Sequence, residues 1–516
     1  MKDVKINSLV HAQRCALVGR AQVLAALTCA LVFEMGGCSG GESSGAPSTV
    51  VLSEISGVEA FEWAGLSLGT AGDVNGDGLA DLQLSALASG PGGRVSVFFG
   101  PVTGSLESAD ANLYISGEYT FSNAGQSLTE AGGCDFDGDG FSDLLIGAPY
   151  ADRNDIASSA AASGDNSGRA YLIYGGEKRA GDLNLAKADH AFFGEKRYDA
   201  AGAHVACLGD LDGDGYGDIA IGSPRSGNGP LKGAGATYLF YGRPRGALAA
   251  SVGLESADAI FRGEGAFDGA GTFIGSAGDH GGDGLADFVI GAPGSDMGGP
   301  DSGALYLILG DGTRFHGVSS LAQSSHVVFG RAGQRLGMTA SRAGDFDGDG
   351  KEEVIVGGSP VSDARGQPGE AYLISGQHRH GRFAADSVGI SLTGASAGDG
   401  AGIAVTAAGD VNGDHFADIL IGAPSGSGEE PNAGLVYLVT GRALTFPARL
   451  SVADSDAYIV LRGKHRSDAL GEVVRLVGDL DGDSVSDVAI SARGQATRQT
   501  AGGMVYIVSG RALGGR

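Results

Sequence analysis

Between Gly209 and Pro224 the chain reads GDLDGDGYGDIAIGSP, with carboxylates at Asp210, Asp212, Asp214 and Asp218. Counted from Asp210, they hold positions 1, 3, 5 and 9 of one loop. Four like charges this close repel one another unless a cation lies among them. Gly213 and Gly215 let the backbone curl, and the carbonyl of Tyr216 at position 7 adds a further oxygen. All-oxygen donors, several of them anionic, on a pliant loop suit a hard ion, Ca2+ above all.

The pattern occurs seven times. The other six sets are Asp73, Asn75, Asp77 and Asp81; Asp135, Asp137, Asp139 and Asp143; Asp279, Asp283 and Asp287, with Gly281 at position 3; Asp345, Asp347, Asp349 and Glu353; Asp410, Asn412, Asp414 and Asp418; and Asp479, Asp481, Asp483 and Asp487. Asn75 and Asn412 still offer an oxygen at position 3, whereas Gly281 offers no side chain. His415 and Ser484 stand where the other loops have their second glycine. The spacing predicts five to seven bound calcium ions. An EF-hand loop begins in the same way but needs a bidentate Glu at position 12 between two helices. Position 12 after Asp210 is Ile221, inside an apolar run.

Successive loops start 62, 75, 69, 66, 65 and 69 residues apart, so the whole unit repeats, not the loop alone. Ahead of each loop sits an F-x-x-A-G element, read at Phe61–Gly65, Phe121–Gly125, Phe267–Gly271 and Phe329–Gly333, with Tyr198 replacing Phe before Gly202. After it comes an apolar run ending in Gly-Ala-Pro or a relative, at Gly147, Gly222, Gly291, Gly358 and Gly422. Blades one and seven have Ser85-Ala86-Leu87 and Ser491-Ala492-Arg493 instead. Two further strands follow, such as GALYLILG from Gly303 and AYIVLRGK from Ala457. Four short strands rich in Val, Ile, Leu and Tyr, separated by turn residues, predict an all-β, seven-bladed β-propeller with four-stranded blades. The last repeat lacks its fourth strand, and VVLSEISG, Val50–Gly57, has no blade before it. The N-terminal strand is therefore expected to close the ring.

A net charge of −26 argues against a nucleic-acid partner, which would need Lys and Arg to neutralise phosphates. The folded unit is expected to span residues 50–516. Before it, Val23–Phe33 is eleven apolar or small residues, too short to cross a bilayer but suited to an export leader. The following EMGGCSG resembles the lipobox of bacterial lipoproteins. That resemblance implies removal of residues 1–37, a lipid on Cys38 as the membrane attachment, a flexible tether over 38–49, and an outer-membrane or cell-surface address. Periplasmic or plainly secreted protein is the alternative. Cys134 and Cys207 lie in different repeats and are not expected to pair.

Taken together, the F-x-x-A-G element, the D-x-D-G-D-G-x-x-D loop and Gly-Ala-Pro resemble the FG-GAP repeat of the integrin α-chain propeller, over nearly all of the chain from Val50. The resemblance implies calcium loops on one face and binding loops on the other. Variable loops at Tyr150–Ser167, Arg225–Gly233, Gly294–Ser302 and Val361–Gly369 fit a surface-anchored binding or adhesion module for a protein or glycan ligand. A structural envelope protein without a specific ligand is the alternative. Some hydrolases, including a phospholipase acting on glycosylphosphatidylinositol anchors, carry FG-GAP propellers beside a separate catalytic domain. No such domain is expected here, and the sequence contains no H-E-x-x-H motif. The nearest histidine pair, His378 and His380, reads as surface. The chain is expected not to be an enzyme.

Overall fold

The computed structural model describes residues 51–514 except 59–61, 88–91, 130–132, 153–164, 178, 228, 359–367, 377–379, 444–447, 452–457 and 495–501. It also describes the strands Asp3–Val4 and Val32–Met35. Cys38, the tether, Phe61, His378 and most of the Tyr150–Ser167 and Val361–Gly369 loops lie outside these residues.

Seven antiparallel sheets form the ring. In blade three, His204–Gly209, Asp218–Ser223, Ala236–Phe240 and Ala259–Arg262 follow one another from the centre outward. The second and third strands are buried along their whole length, because both faces of a blade pack on neighbouring blades. This explains their continuous apolar runs in place of alternation. The first strands of blades three to seven line one central cavity of about 640 Å³. The apolar clusters lie between blades: Leu208, Ala220 and Leu239 of blade three meet Ile274, Phe288 and Tyr306 of blade four.

The blades are not four-stranded, as the sequence suggested. Six of the sheets have five strands. In these, the outer strand pairs in parallel with a segment donated by the next blade, as Gly181–Asn184 does with Leu113–Ser116 and Gly317–Ser320 with Ala259–Arg262. The donated strands are short, polar and largely exposed (GDLN, GVSS), so no hydrophobic pattern announces them. In blade six the corresponding edge, Tyr458–Arg462, pairs antiparallel with Val32–Met35.

Ring closure follows the expectation. Val51–Ser56 pairs antiparallel with Met504–Val508 as the fourth strand of blade seven, and Gly104–Glu107 of blade one pairs outside it. Ile55 is fully buried there, in a cluster with Leu82, Val477 and Ile507.

Blades two to seven are each led in by a turn with left-handed residues at alternate positions. Residues 1 and 3 of the turn are Phe121 and Asn123, Tyr198 and Ala200, Phe267 and Gly269, Gly333 and Arg335, Gly398 and Gly400, and Ser467 and Ala469, all with positive φ. A glycine with φ between 78° and 90° closes each, for instance Gly125, Gly202 and Gly471. In blade five this turn is Gly333–Gly337, because Gly303 bridges to Leu336 there as Gly235 does to Ala270. Phe329 instead ends the strand His326–Phe329, so the motif placed at Phe329–Gly333 lies one turn early. The glycine that opens the Gly-Ala-Pro element is fixed by a close approach. A Cβ on Gly147, Gly222, Gly291, Gly357 or Gly422 would stand 2.1 Å from the carbonyl oxygen of the next blade's lead-in glycine. Gly357, not Gly358, holds that place in blade five.

Cys134 and Cys207 do form a disulfide, with their Cα atoms 5.6 Å apart, contrary to expectation. A separation of 73 residues hides the contact. The two cysteines hold different positions in their repeats, one and three residues before the acidic loop, and meet where blades two and three lie side by side.

Deleting residues 51–56 should lower the melting temperature sharply, because burying one large aliphatic side chain is worth about 1.5–3 kcal/mol and the blade would also lose a paired strand. Deleting residues 39–47 should leave it nearly unchanged. Equal melting of the two truncations by calorimetry would contradict closure by this strand.

Candidate metal centres

All seven acidic loops join the first strand of a blade to the second. In the loop of blade three the Asp210 carboxylate organises the turn. Its Oδ1 accepts the N–H groups of Gly213 (2.7 Å) and Asp214 (3.1 Å), and its Oδ2 accepts that of Gly215 (2.8 Å). Asp212 Oδ1 accepts from Asp214 N–H and Asp214 Oδ1 from Tyr216 N–H, each at 3.1 Å. One oxygen of each of these two carboxylates is thus committed to the backbone, leaving Oδ2 for a cation.

The position-9 residue plays a different part. In every blade its two oxygens tie the loop to the glycine that follows the third strand. Asp218 accepts from Leu211 N–H (2.7 Å) and Gly242 N–H (2.8 Å); Asp81 does so from Val74 and Gly100, Asp143 from Phe136 and Gly175, and Asp287 from Gly281 and Gly310. Glu353 bonds Phe346 and Gly376, Asp418 bonds Val411 and Gly441, and Asp487 bonds Leu480 and Gly510. Burial pushes Asp81, Asp218 and Asp487 up to about 7, Asp143 and Glu353 up to about 8, and Asp418 up to about 6; Asp287 is raised as well. The other loop carboxylates add to the rise, and the backbone N–H bonds oppose it.

Four loops bring acids together. Asp135, Asp137 and Asp143 place ligand atoms within 4.8 Å of one another, as do Asp210, Asp212 and Asp218; Asp345, Asp347 and Glu353; and Asp479, Asp481 and Asp483. These are the four loops with an acid at position 3. In the loops that start at Asp73 and Asp410, Asn75 and Asn412 donate their amides to Asp77 and Asp414 at 2.9 Å. Beside Gly281, the Lys351 ammonium of the next loop donates to the Gly281 carbonyl (3.3 Å), so a cationic side chain lies against the weakest loop. His415 (φ 74°) and Ser484 (φ 68°) adopt the left-handed shape that glycine adopts elsewhere, and their N–H groups keep the bond to the position-1 carboxylate. The donor chemistry fits a hard cation at the four clustered loops.

Sequence reasoning missed the cations already beside them. Arg245, beyond the third strand of blade three, reaches the loop of blade two. Its Nε meets Asp137, its Nη2 lies 2.6 Å from Asp139 Oδ2, and its guanidinium lies over the Tyr174 ring at 4.6 Å. Arg314 repeats this one blade on, with Nε on Asp212, Nη2 2.5 Å from Asp214 Oδ2 and the Tyr241 ring at 4.9 Å. Each takes the Oδ2 atoms that the backbone leaves free. No local motif marks them, since they stand about a hundred residues from the acids they meet. Of the histidine pair, His380 is described and stacks on His326 at 4.6 Å.

The FG-GAP repeat model matches residues 129–173, 203–240 and 401–439, which hold the second and third strands of blade two and the first three strands of blades three and six. Integrin alpha-PS2 of Drosophila melanogaster is 32% identical over 42% of this chain and 14% of its own length, and integrin alpha-5 of Xenopus laevis is 36% identical over 26% and 12%. The chain is an FG-GAP repeat β-propeller related to integrin α-chains. The phosphatidylinositol-glycan-specific phospholipase D of Bos taurus is 26% identical over 79% of this chain and 48% of its own length. The chain spans less than half the length of these relatives. The expectation that it is not an enzyme is overturned by that last match, which runs over far more of the chain than the integrin matches do.

Two outcomes follow. In EDTA the position-9 acids bind protons in the folded ring at pH values where the unfolded chain has released them. Stability should therefore rise as pH falls from about 8 toward 5. Millimolar calcium should flatten this dependence in a thermal melt; a cation-free melting temperature that climbs with pH would contradict the assignment. The double variant R245Q/R314Q should melt lower in EDTA yet take up divalent cation more tightly, measured by isothermal titration. Weaker uptake would mean that the arginines support the cation sites.

Proposed function

We propose that the chain is a calcium-stabilised binding and adhesion platform, exported and held at a membrane by a lipid on Cys38, that presents its loops to a protein or glycan ligand. The observation that carries this reading is the set of four converged acidic clusters at one rim of a ring related to integrin α-chains. Five to seven loops would hold calcium, through Asp or Asn at positions 1, 3 and 5 and the acid at position 9. The bound ion supplies the positive charge that neutralises each loop. The protein's own part is to hold the loops in register, through the position-1 carboxylates and the bonds from position 9 to the third strand. Cleavage before Cys38 would free the Val32–Met35 strand from the edge of blade six. Among the described residues no helix is long and apolar enough to cross a membrane.

The phospholipase D match favours a second reading, in which this ring serves a hydrolase directed at phosphatidylinositol-glycan.

Residues 39–516, immobilised in millimolar calcium and exposed to solubilised envelope and extracellular fractions, should retain a saturable partner that EDTA releases. Retention unaffected by EDTA, or none from a ring that is folded in calcium, would count against the platform. Release of an anchored protein from phosphatidylinositol-glycan vesicles by the full chain would favour the second reading.

A further inference from the structure

Strands alternate in direction within a blade. The acidic loops, which join first to second strands, therefore lie at one rim, and the lead-in turns and second-to-third-strand connections lie at the other. Backbone bonds knit that second rim together: Tyr198 N–H donates to the Asp165 carbonyl (2.7 Å) and Phe267 N–H to that of Lys232 (3.0 Å). On three consecutive blades the first residue of the lead-in turn is a large aromatic left in solvent. Phe121 is 81% exposed, Phe267 67% and Tyr198 49%. Their φ values of 64°, 66° and 68° are ones a bulky side chain rarely adopts. Blades five and six place Gly333 and Gly398 at the same point. Folding alone is thus better served by glycine, and a ring as exposed as that of Phe121 projects outward instead of lining a groove.

The exposed charge around Tyr198 differs from that of the whole molecule, while Asp296 and Asp301 are exposed on the connection beside Phe267. Lys196 and Arg197 are exposed on the Tyr198 turn, and Arg225 and Lys232 on the second-to-third-strand connection of the same blade, in a chain of net charge −26. The acids of these turns point inward. Glu118 pairs with Arg169 (3.0 Å), Glu195 with Arg262 (2.5 Å) and Glu264 with Arg382 (2.8 Å), while Asp199 and Asp268 are buried. Projecting aromatics beside exposed cations match the zone where acyl chains meet anionic headgroups.

We propose that this rim docks on an anionic phospholipid surface, with Phe121, Tyr198 and Phe267 entering the interface and Lys196, Arg197, Arg225 and Lys232 facing headgroup phosphates. The proposal builds on the reading of the ring as a binding platform and names a lipid surface as one thing it binds. It leaves the acidic loops facing away from the membrane.

The test is co-sedimentation of the full chain, in millimolar calcium, with phosphatidylcholine vesicles carrying about 30% phosphatidylserine, and with phosphatidylcholine alone. The variant F121G/Y198G/F267G uses the residue that blades five and six already have, so it should fold and melt no lower than the parent. The parent should sediment with the anionic vesicles and bind neutral ones less, and the variant should bind the anionic vesicles at least about tenfold more weakly. Equal binding by the variant, or no binding by the parent, would overturn the proposal. If the calcium-dependent pull-down retains a protein while neither form sediments, the platform stands and lipid docking falls. If sedimentation is lost in the variant while the pull-down stays empty, lipid docking stands and the protein-ligand reading falls.

Discussion

In every blade a buried carboxylate accepts one N–H from its own acidic loop and one from the glycine that ends the third strand. Seven such residues, from Asp81 to Asp487, fasten the hairpin that faces the ring's centre to the strand behind it. The acids that frame the same loops push against this arrangement, since each raises the cost of charge on the others. The rest of the rim answers that repulsion. Arg245 and Arg314 cross from a neighbouring blade onto the free carboxylate oxygens, and Lys351 lies on the loop that has no side-chain donor at position 3. A divalent cation held there would do the same work with a more concentrated charge.

The loops also lean on one another around the ring. At three loops an aromatic at position 7 covers the first glycine of the loop before it: a Cβ on Gly76 would meet the Phe141 ring at 2.3 Å, on Gly138 the Tyr216 ring at 2.7 Å, and on Gly348 the Phe416 ring at 2.5 Å, whereas Gly213 is open. Charge and packing are therefore coupled from blade to blade. Between blades two and three both act together, Tyr216 covering Gly138 and Arg245 crossing to Asp137 and Asp139. At the opposite rim the backbone is held in left-handed turns, at a cost on the order of 1 kcal/mol or more for each non-glycine residue. Strain retained at Phe121, Tyr198 and Phe267 sets that rim apart from the acidic one.

The repeat, the ring and its closure were legible in the sequence because the acidic loop and Gly-Ala-Pro carry fixed spacing, and because an unmatched strand such as Val51–Ser56 must find a partner. What was missed shares one cause: contacts made between blades leave no local pattern. Cys134 meets Cys207, Arg245 meets Asp137 and Gly181–Asn184 meets Leu113–Ser116 only once the chain has turned through a blade. Local resemblance also misled at Phe329, where an aromatic, an alanine and a glycine imitate the lead-in turn that Gly333–Gly337 forms. The four acidic loops whose carboxylates converge are those with an acid at position 3, whereas residue type alone also counts Asn75 and Asn412 as ligands and predicts five to seven sites.

The most direct measurement is native mass spectrometry of the full chain, first from a calcium-containing volatile buffer and then after EDTA. About five to seven calcium ions per chain, lost on chelation and reduced in number when Asp210 and Asp345 are replaced by Asn, are the predicted result. A chain of the same mass in both conditions would contradict a cation role for the seven loops.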